Sequence, residues 1–194
     1  GPDSVHSVKP FLRNLFSDRH IIKLGPSFLQ KPIASLIIRK RLKSVIEAYS
    51  LIGGKSPLPD ITNAQATALE KSLNSTPILQ HSNTPKMRVY VGMRYWHPFI
   101  EEAIDRAIRD GASRILALSL YPHYSIATTG TSLKKFEDVI KKYHVDHFCV
   151  TSWFNHPIYI DALVEKIKKG FESFHSEGRT LNSELKIPVL CSAH

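Results

Sequence analysis

"MRVYVGMRYWHPFIEEAIDRAIRDGASRILALSL", residues 87–120, is the stretch on which the fold turns. Residues 87–93 are apolar and β-branched enough to read as a strand. The period then changes: Ile100, Ile104, Ala107 and Ile108 fall on one side of a helix that Gly111 closes. "RILALSL" (114–120) reads as a second strand. Two strands joined through a helix of this length run parallel, because the crossover returns the chain to the same end of the sheet.

The alternation continues towards the carboxyl end. It predicts a helix in "SLKKFEDVIKKY" (132–143), a strand in "DHFCVTS" (146–152), a helix from about 156 to 174 and a closing strand in "KIPVLCSAH" (186–194). Such a pattern implies a doubly wound α/β domain, a Rossmann-like three-layer arrangement with helices on both faces of a parallel sheet.

The first third departs from this. "SVHSVKPFLRNLF" (4–16) and "SFLQKPIASLIIRKRLKSVIEAYSLIGG" (27–54) have helical spacing, the second ended by Gly53 and Gly54. "ITNAQATALEKSL" (61–73) begins with Thr62 and Gln65 in capping-box spacing. Pro10 and Pro32 are expected in a first turn or at a kink. No strand is evident before Met87, although this fold class opens with one, so an opening strand is expected to be missing. The polar linkers at 53–60 and 80–86 do not read as domain boundaries.

A 42% hydrophobic and 22% charged composition excludes disordered and fibrous classes. The net charge of +9 suits an anionic ligand or membrane face, but the basic residues are dispersed over amphipathic helices without a nucleic-acid module, which argues against a nucleic-acid partner. Cys149 and Cys191 lie in apolar strand-like runs and read as buried, reduced thiols, which suits a cytoplasmic protein. No run approaches the roughly 18 apolar residues of a spanning helix.

Three loops follow strand ends, where a parallel sheet presents its ligand: 94–99, 121–133 and 152–159. Their aromatic residues, Tyr95, Trp96, Tyr121, Tyr124, Trp153 and Phe154, are expected to line an apolar cleft. His97 and His123 sit beside a helix start and a turn proline and read as structural. His156 and His194 follow strand ends and are the candidates for proton transfer or metal ligation. A phosphate loop is unsupported, since Gly53-Gly54 follows a helix and Gly130-Thr131-Ser132 lacks the Lys-Ser/Thr pattern.

Five stretches in order resemble the successive signatures of the ferrochelatases, enzymes that insert ferrous iron into a porphyrin. They are "GPDSVHSVKPFLRNLFSDR" (1–19), "IGGKSPL" (52–58) with Tyr49 ahead of it, "GMRYWHPFIEEAI" (92–104), "YPHYSIATTGTSL" (121–133) and "VLCSAH" (189–194). The resemblance implies a chelatase-like protein of two similar domains with the porphyrin between them. Residues 1–150 would be the first domain, and 151–194 the crossover helix and first strand of a truncated second.

It further implies that His194 is the pyrrole proton acceptor and metal-site residue, with His156 a second histidine of the pocket. Arg94 and Tyr95 match an Arg-Tyr pair at the inner end of the cleft, implicated in metal access. Arg41 and Ser56 would hold propionates, Tyr49 and Thr128 would form the wall, and Tyr121 is a less specific match. Ferrous iron enters as substrate and no tightly bound cofactor is expected. Ile126 stands where some members have a cysteine ligand of an iron-sulfur cluster, so that cluster is not expected. Protoporphyrin is the implied substrate, with coproporphyrin or another metal as alternatives, and the polypeptide as given is expected to be non-catalytic. The apolar and basic stretch from Phe11 to Leu42 resembles a lip that touches a membrane, the alternative being ordinary helix packing.

Overall fold

The computed structural model describes residues 1–75 and 86–176, as two compact units that divide between Ser152 and Trp153. The first unit holds helices α1 (Val8–Ser17), α2 (Gln30–Leu51), α3 (Leu58–Asn74), α4 (Ile100–Arg109) and α5 (Thr131–Ile140) and strands β1 (Arg114–Leu118) and β2 (Asp146–Val150). The second begins at Trp153 and carries α6 (Pro157–Ser176). The chain is α/β, with β1 and β2 parallel in the register Arg114↔Asp146 to Leu118↔Val150.

The core follows the predicted periodicities. Ile100 and Ile104 of α4 meet Phe136, Val139 and Ile140 of α5, and Ile115, Ala117 and Cys149 close the cluster from the sheet. The Cys149 thiol is half-buried there, and burial raises its pKa, so it behaves as a packed apolar group. Alternation along the strands sends Leu116, Leu118 and Phe148 to the opposite face, where they are exposed. Among the described residues only one face of the sheet is therefore covered, short of the two-faced burial expected.

Helix α4 ends where the sequence demands. Gly111 has φ +87, its N–H donates to Ile108 O, and Ala112 N donates to Ala107 O, together a Schellman stop. A Cβ at that φ is strained, so Gly111→Ala is expected to cost about 1–2 kcal/mol, measurable by urea denaturation, with no change in the cleft residues. Pro10 and Pro32 are each the third residue of their helix, within the first turn, where the missing N–H costs least.

A second cluster joins α1 to α2 through Val8, Leu12 and Ile38, with Phe11, Phe16, Leu42 and Tyr49 packed around them. Gln30 is buried and holds the connection: its Nε2 donates to Phe16 O (2.9 Å) and Ile22 O (2.8 Å), while its Oε1 accepts from Leu24 N (3.1 Å). Part of the Phe11–Leu42 stretch is thus helix packing. Phe28 and Leu36 remain outside it and exposed.

Two expectations are corrected. Residues 87–92 run without regular pairing, and a single parallel bridge joins Met93 to Phe99. At Met87 and Val89, side chains of α3 take backbone hydrogen bonds that a strand would use. Asn74 Oδ1 accepts from Met87 N (3.0 Å), Asn74 Nδ2 donates to Met87 O (2.9 Å), and Glu70 Oε2 accepts from Val89 N (2.7 Å). The capping box at Thr62 is also not a helix start, because α3 begins at Leu58 after Pro57. Proline with its fixed φ opens the helix earlier than the Thr62 signal. The closing strand at 186–191, with Cys191, lies outside the described residues.

Candidate functional site

The site is built around a turn that α4 holds in place. Met93 N donates to Pro98 O (2.7 Å) and Ile100 N to Met93 O (3.2 Å), closing the loop that carries Arg94 to His97. Gly92 allows this, since a Cβ there would sit 3.1 Å from the Ile100 Cα and 3.2 Å from the Ala103 Cβ. Glu102 anchors the helix start by accepting from Phe99 N (2.8 Å) and lying 2.8 Å from His97 Nδ1. The His97 contact and the Phe99 N–H hold the Glu102 carboxyl below its usual pKa. The His97 ring stacks edge-on with Trp96 and Phe99, in keeping with its structural reading.

Arg94 and Tyr95 turn towards the end of α1. Asp18 caps that end with a side chain only 5% exposed. Its Oδ2 accepts from Arg94 Nη2 (2.7 Å) and from the Tyr95 hydroxyl (2.8 Å), and its Oδ1 accepts from His20 N (2.9 Å). The Arg94 guanidinium lies 5.0 Å from the centre of the Tyr95 ring. Asn14 Nδ2 donates to Tyr95 O (3.1 Å), a further tie between α1 and the turn. Burial first, then the bond to Asp18, raises the Tyr95 pKa far above that of a free phenol. Tyr95 therefore stays protonated and acts as a donor rather than as a phenolate.

Thr131, buried at the start of α5, donates its hydroxyl to Thr128 O (3.1 Å). The loop ahead of Thr131 makes a π-helical turn, Ile126–Gly130, an irregularity frequent at functional sites. Thr128 is half-buried in it, and Thr129 is fully buried, with its hydroxyl 3.1 Å from that of Ser119 at the end of the β1 region. His123 lends its carbonyl to Thr129. Tyr121 is exposed, and its N–H donates to Ser119 Oγ. Beside this turn an open groove of about 370 Å³ is lined by His20, Tyr124, Ile126, Gly130, Thr131 and Lys134, among others.

The other expected residues lie elsewhere. Arg41 is exposed on α2, and Tyr49, two turns on, is half-buried against the α1–α2 cluster, its phenol pKa raised by burial. Ser56 is buried, with its N–H on Pro2 O (2.8 Å) and its hydroxyl accepting from Leu58 N (3.3 Å) at the start of α3. The Gly1-Pro2 and Gly-Lys-Ser-Pro motifs, far apart in sequence, thus meet. In the second unit His156 is exposed and takes the capping position of α6: its carbonyl accepts from Tyr159 N and Ile160 N. His194 lies outside the described residues. Among the described residues no cluster of three or more His, Cys, Asp or Glu side chains could hold a metal.

Asp18 is the residue the sequence reading missed, although it left a signal. An acidic group at a helix carboxyl end faces the negative end of the helix dipole. Such a placement requires compensation, and Arg94 supplies it.

A family model described as Ferrochelatase matches residues 1–194. The ferrochelatase of Geobacter metallireducens is 45% identical over 196 residues, covering 100% of this chain and 56% of that protein. That of Gloeothece citriformis is 44% identical over 173 residues, 87% of this chain and 43% of its own length. Ferrochelatase-2, chloroplastic, from Oryza sativa subsp. indica is 42% identical over 200 residues, 100% of this chain and 35% of that protein. The chain spans about half or less of the length of these curated relatives: 56%, 43% and 35%. With five ordered motifs, the α/β fold and a match along its whole length, the chain belongs to the ferrochelatase family.

Proposed function

We propose that the protein carrying this chain is a ferrochelatase that inserts ferrous iron into protoporphyrin. The observation that carries this reading is the family match over all 194 residues. The meeting of Arg94 and Tyr95 at Asp18 supports it.

Insertion requires two pyrrole protons to leave and the nitrogen lone pairs to face the metal. His194 accepts a pyrrole proton and meets the iron, since an imidazole is the side chain that exchanges a proton near neutral pH. His156 lines the porphyrin site. Arg41, exposed on α2, offers a planar donor fork to a propionate. Ser56 adds its place at the amino end of α3, where the helix dipole favours an anion. Tyr49, Tyr121 and Thr128 form the wall. Iron is the substrate rather than a resident cofactor, and Ile126 offers no donor to a cluster.

Residues 1–150 form the first chelatase-like domain in this reading, and 151–194 open the second; the break after Ser152 supports it. The parallel pair β1–β2 is the kernel of a doubly wound sheet, supported by the apolar Leu116, Leu118 and Phe148 on its uncovered face. The protein works in the cytoplasm and touches an anionic membrane face. No described helix is long and apolar enough to cross a membrane, while Phe28 is 77% exposed on the chain that leads into the basic α2.

The test is anaerobic incubation of the intact protein with protoporphyrin and ferrous iron. Loss of free-porphyrin fluorescence with the appearance of heme absorption is expected. Porphyrin that stays metal-free under these conditions sinks the reading.

A further inference from the structure

We infer that Asp18 is a positioning residue that cancels the charge of Arg94 and fixes the Arg94–Tyr95 pair, so that a divalent cation can pass beside it. The inference rests on the proposed reading of that pair as the metal-access end of the porphyrin cleft, the role that the family resemblance implies for it.

Asp18 gives up both carboxylate oxygens to this one task. Oδ2 takes Arg94 Nη2 and the Tyr95 hydroxyl, and Oδ1 takes the backbone of His20. Two parts of the first unit meet at it, the end of α1 and the 94–98 turn. The cost of such a carboxylate at a helix carboxyl end has no return within α1 itself. Its return is at Arg94.

A guanidinium is permanently charged. Beside a route for ferrous iron it repels the substrate, and a carboxylate 2.7 Å away makes the pair neutral at longer range. Repulsion between one charge and a divalent cation across roughly 8 Å of a water-like medium corresponds to about a fivefold change in affinity. The sign of the effect separates this role from simple structural support. Loss of the carboxylate leaves a positive site, and loss of the guanidinium leaves a negative one.

The experiment uses steady-state anaerobic metalation by the intact protein, with ferrous iron and porphyrin varied separately. Asp18→Asn is expected to raise the KM for iron about fivefold, with the porphyrin KM changed less than twofold. Arg94→Gln is expected to lower the KM for iron, and the double variant to return it near the parent value. Rising ionic strength shrinks both single-variant effects.

If both single variants raise the KM for iron, or neither moves it, charge cancellation is overturned. Should Arg94→Gln not fold, Asp18→Asn and the double variant still decide: a KM for iron that Asp18→Asn leaves unchanged or lowers, or that stays raised in the double variant, refutes the inference. An unsubstituted protein that fails to metalate porphyrin refutes the proposed function instead. The two failures are thus distinguishable.

Discussion

Replacing His194 by alanine in the intact protein is expected to slow porphyrin metalation by about 10² to 10⁴-fold, the range that one positioned acid–base group contributes. The loss should appear in kcat. Iron enters the macrocycle only after pyrrole nitrogens release their protons, and the alanine offers no acceptor. In the proposed reading the porphyrin is held by its apolar faces and its propionates, so its binding, read from fluorescence quenching, should change little. A rate that recovers with added imidazole would place the missing function in the ring rather than in the backbone. Undiminished metalation by His194→Ala removes the role assigned to this residue. His156→Ala is expected to act more weakly, because its carbonyl, which survives the substitution, already serves as the start of α6.

Helices α1, α2, α4 and α5 were legible because each buries one face, and burial leaves a period in the sequence. Ile100, Ile104, Phe136 and Ile140 show this directly. Gly111 was legible for a different reason: a left-handed residue after an apolar run has few other uses. Residues 87–92 were not legible in the same way. Their composition states a preference for extended backbone, but pairing depends on what lies alongside, and here Asn74 and Glu70 take the hydrogen bonds. Thr62 misled because a capping box is a local signal, and Pro57 had already opened the helix.

The candidate site divides along a similar line. Arg94 and Tyr95 stood out through their motif, and both bond to Asp18. Asp18 sits in a motif too, but nothing local connects it to a turn 76 residues away. That connection is tertiary. What the sequence does contain is an infringement, a carboxylate at the wrong end of a helix dipole, and infringements of local rules concentrate where a site demands them.

Arg94→Met is expected to destabilise the fold towards the lower end of about 3–5 kcal/mol, the cost of removing one partner from a buried ion pair. The size follows from an asymmetry in burial. The Arg94 side chain is 25% exposed, whereas that of Asp18 is 5% exposed. Without Asp18, the guanidinium can still recruit water. Without Arg94, the carboxylate keeps only the Tyr95 hydroxyl and the His20 N–H in a site closed to solvent. Asp18→Asn should therefore cost less than Arg94→Met, although both break the same contact. The double variant should recover much of the loss, since replacing both partners leaves no unpaired charge. Urea denaturation of the three variants measures the cycle. Additive costs in the double would show that the 2.7 Å contact contributes no buried pairing energy, and equal costs for the two single variants would overturn the asymmetry drawn from burial.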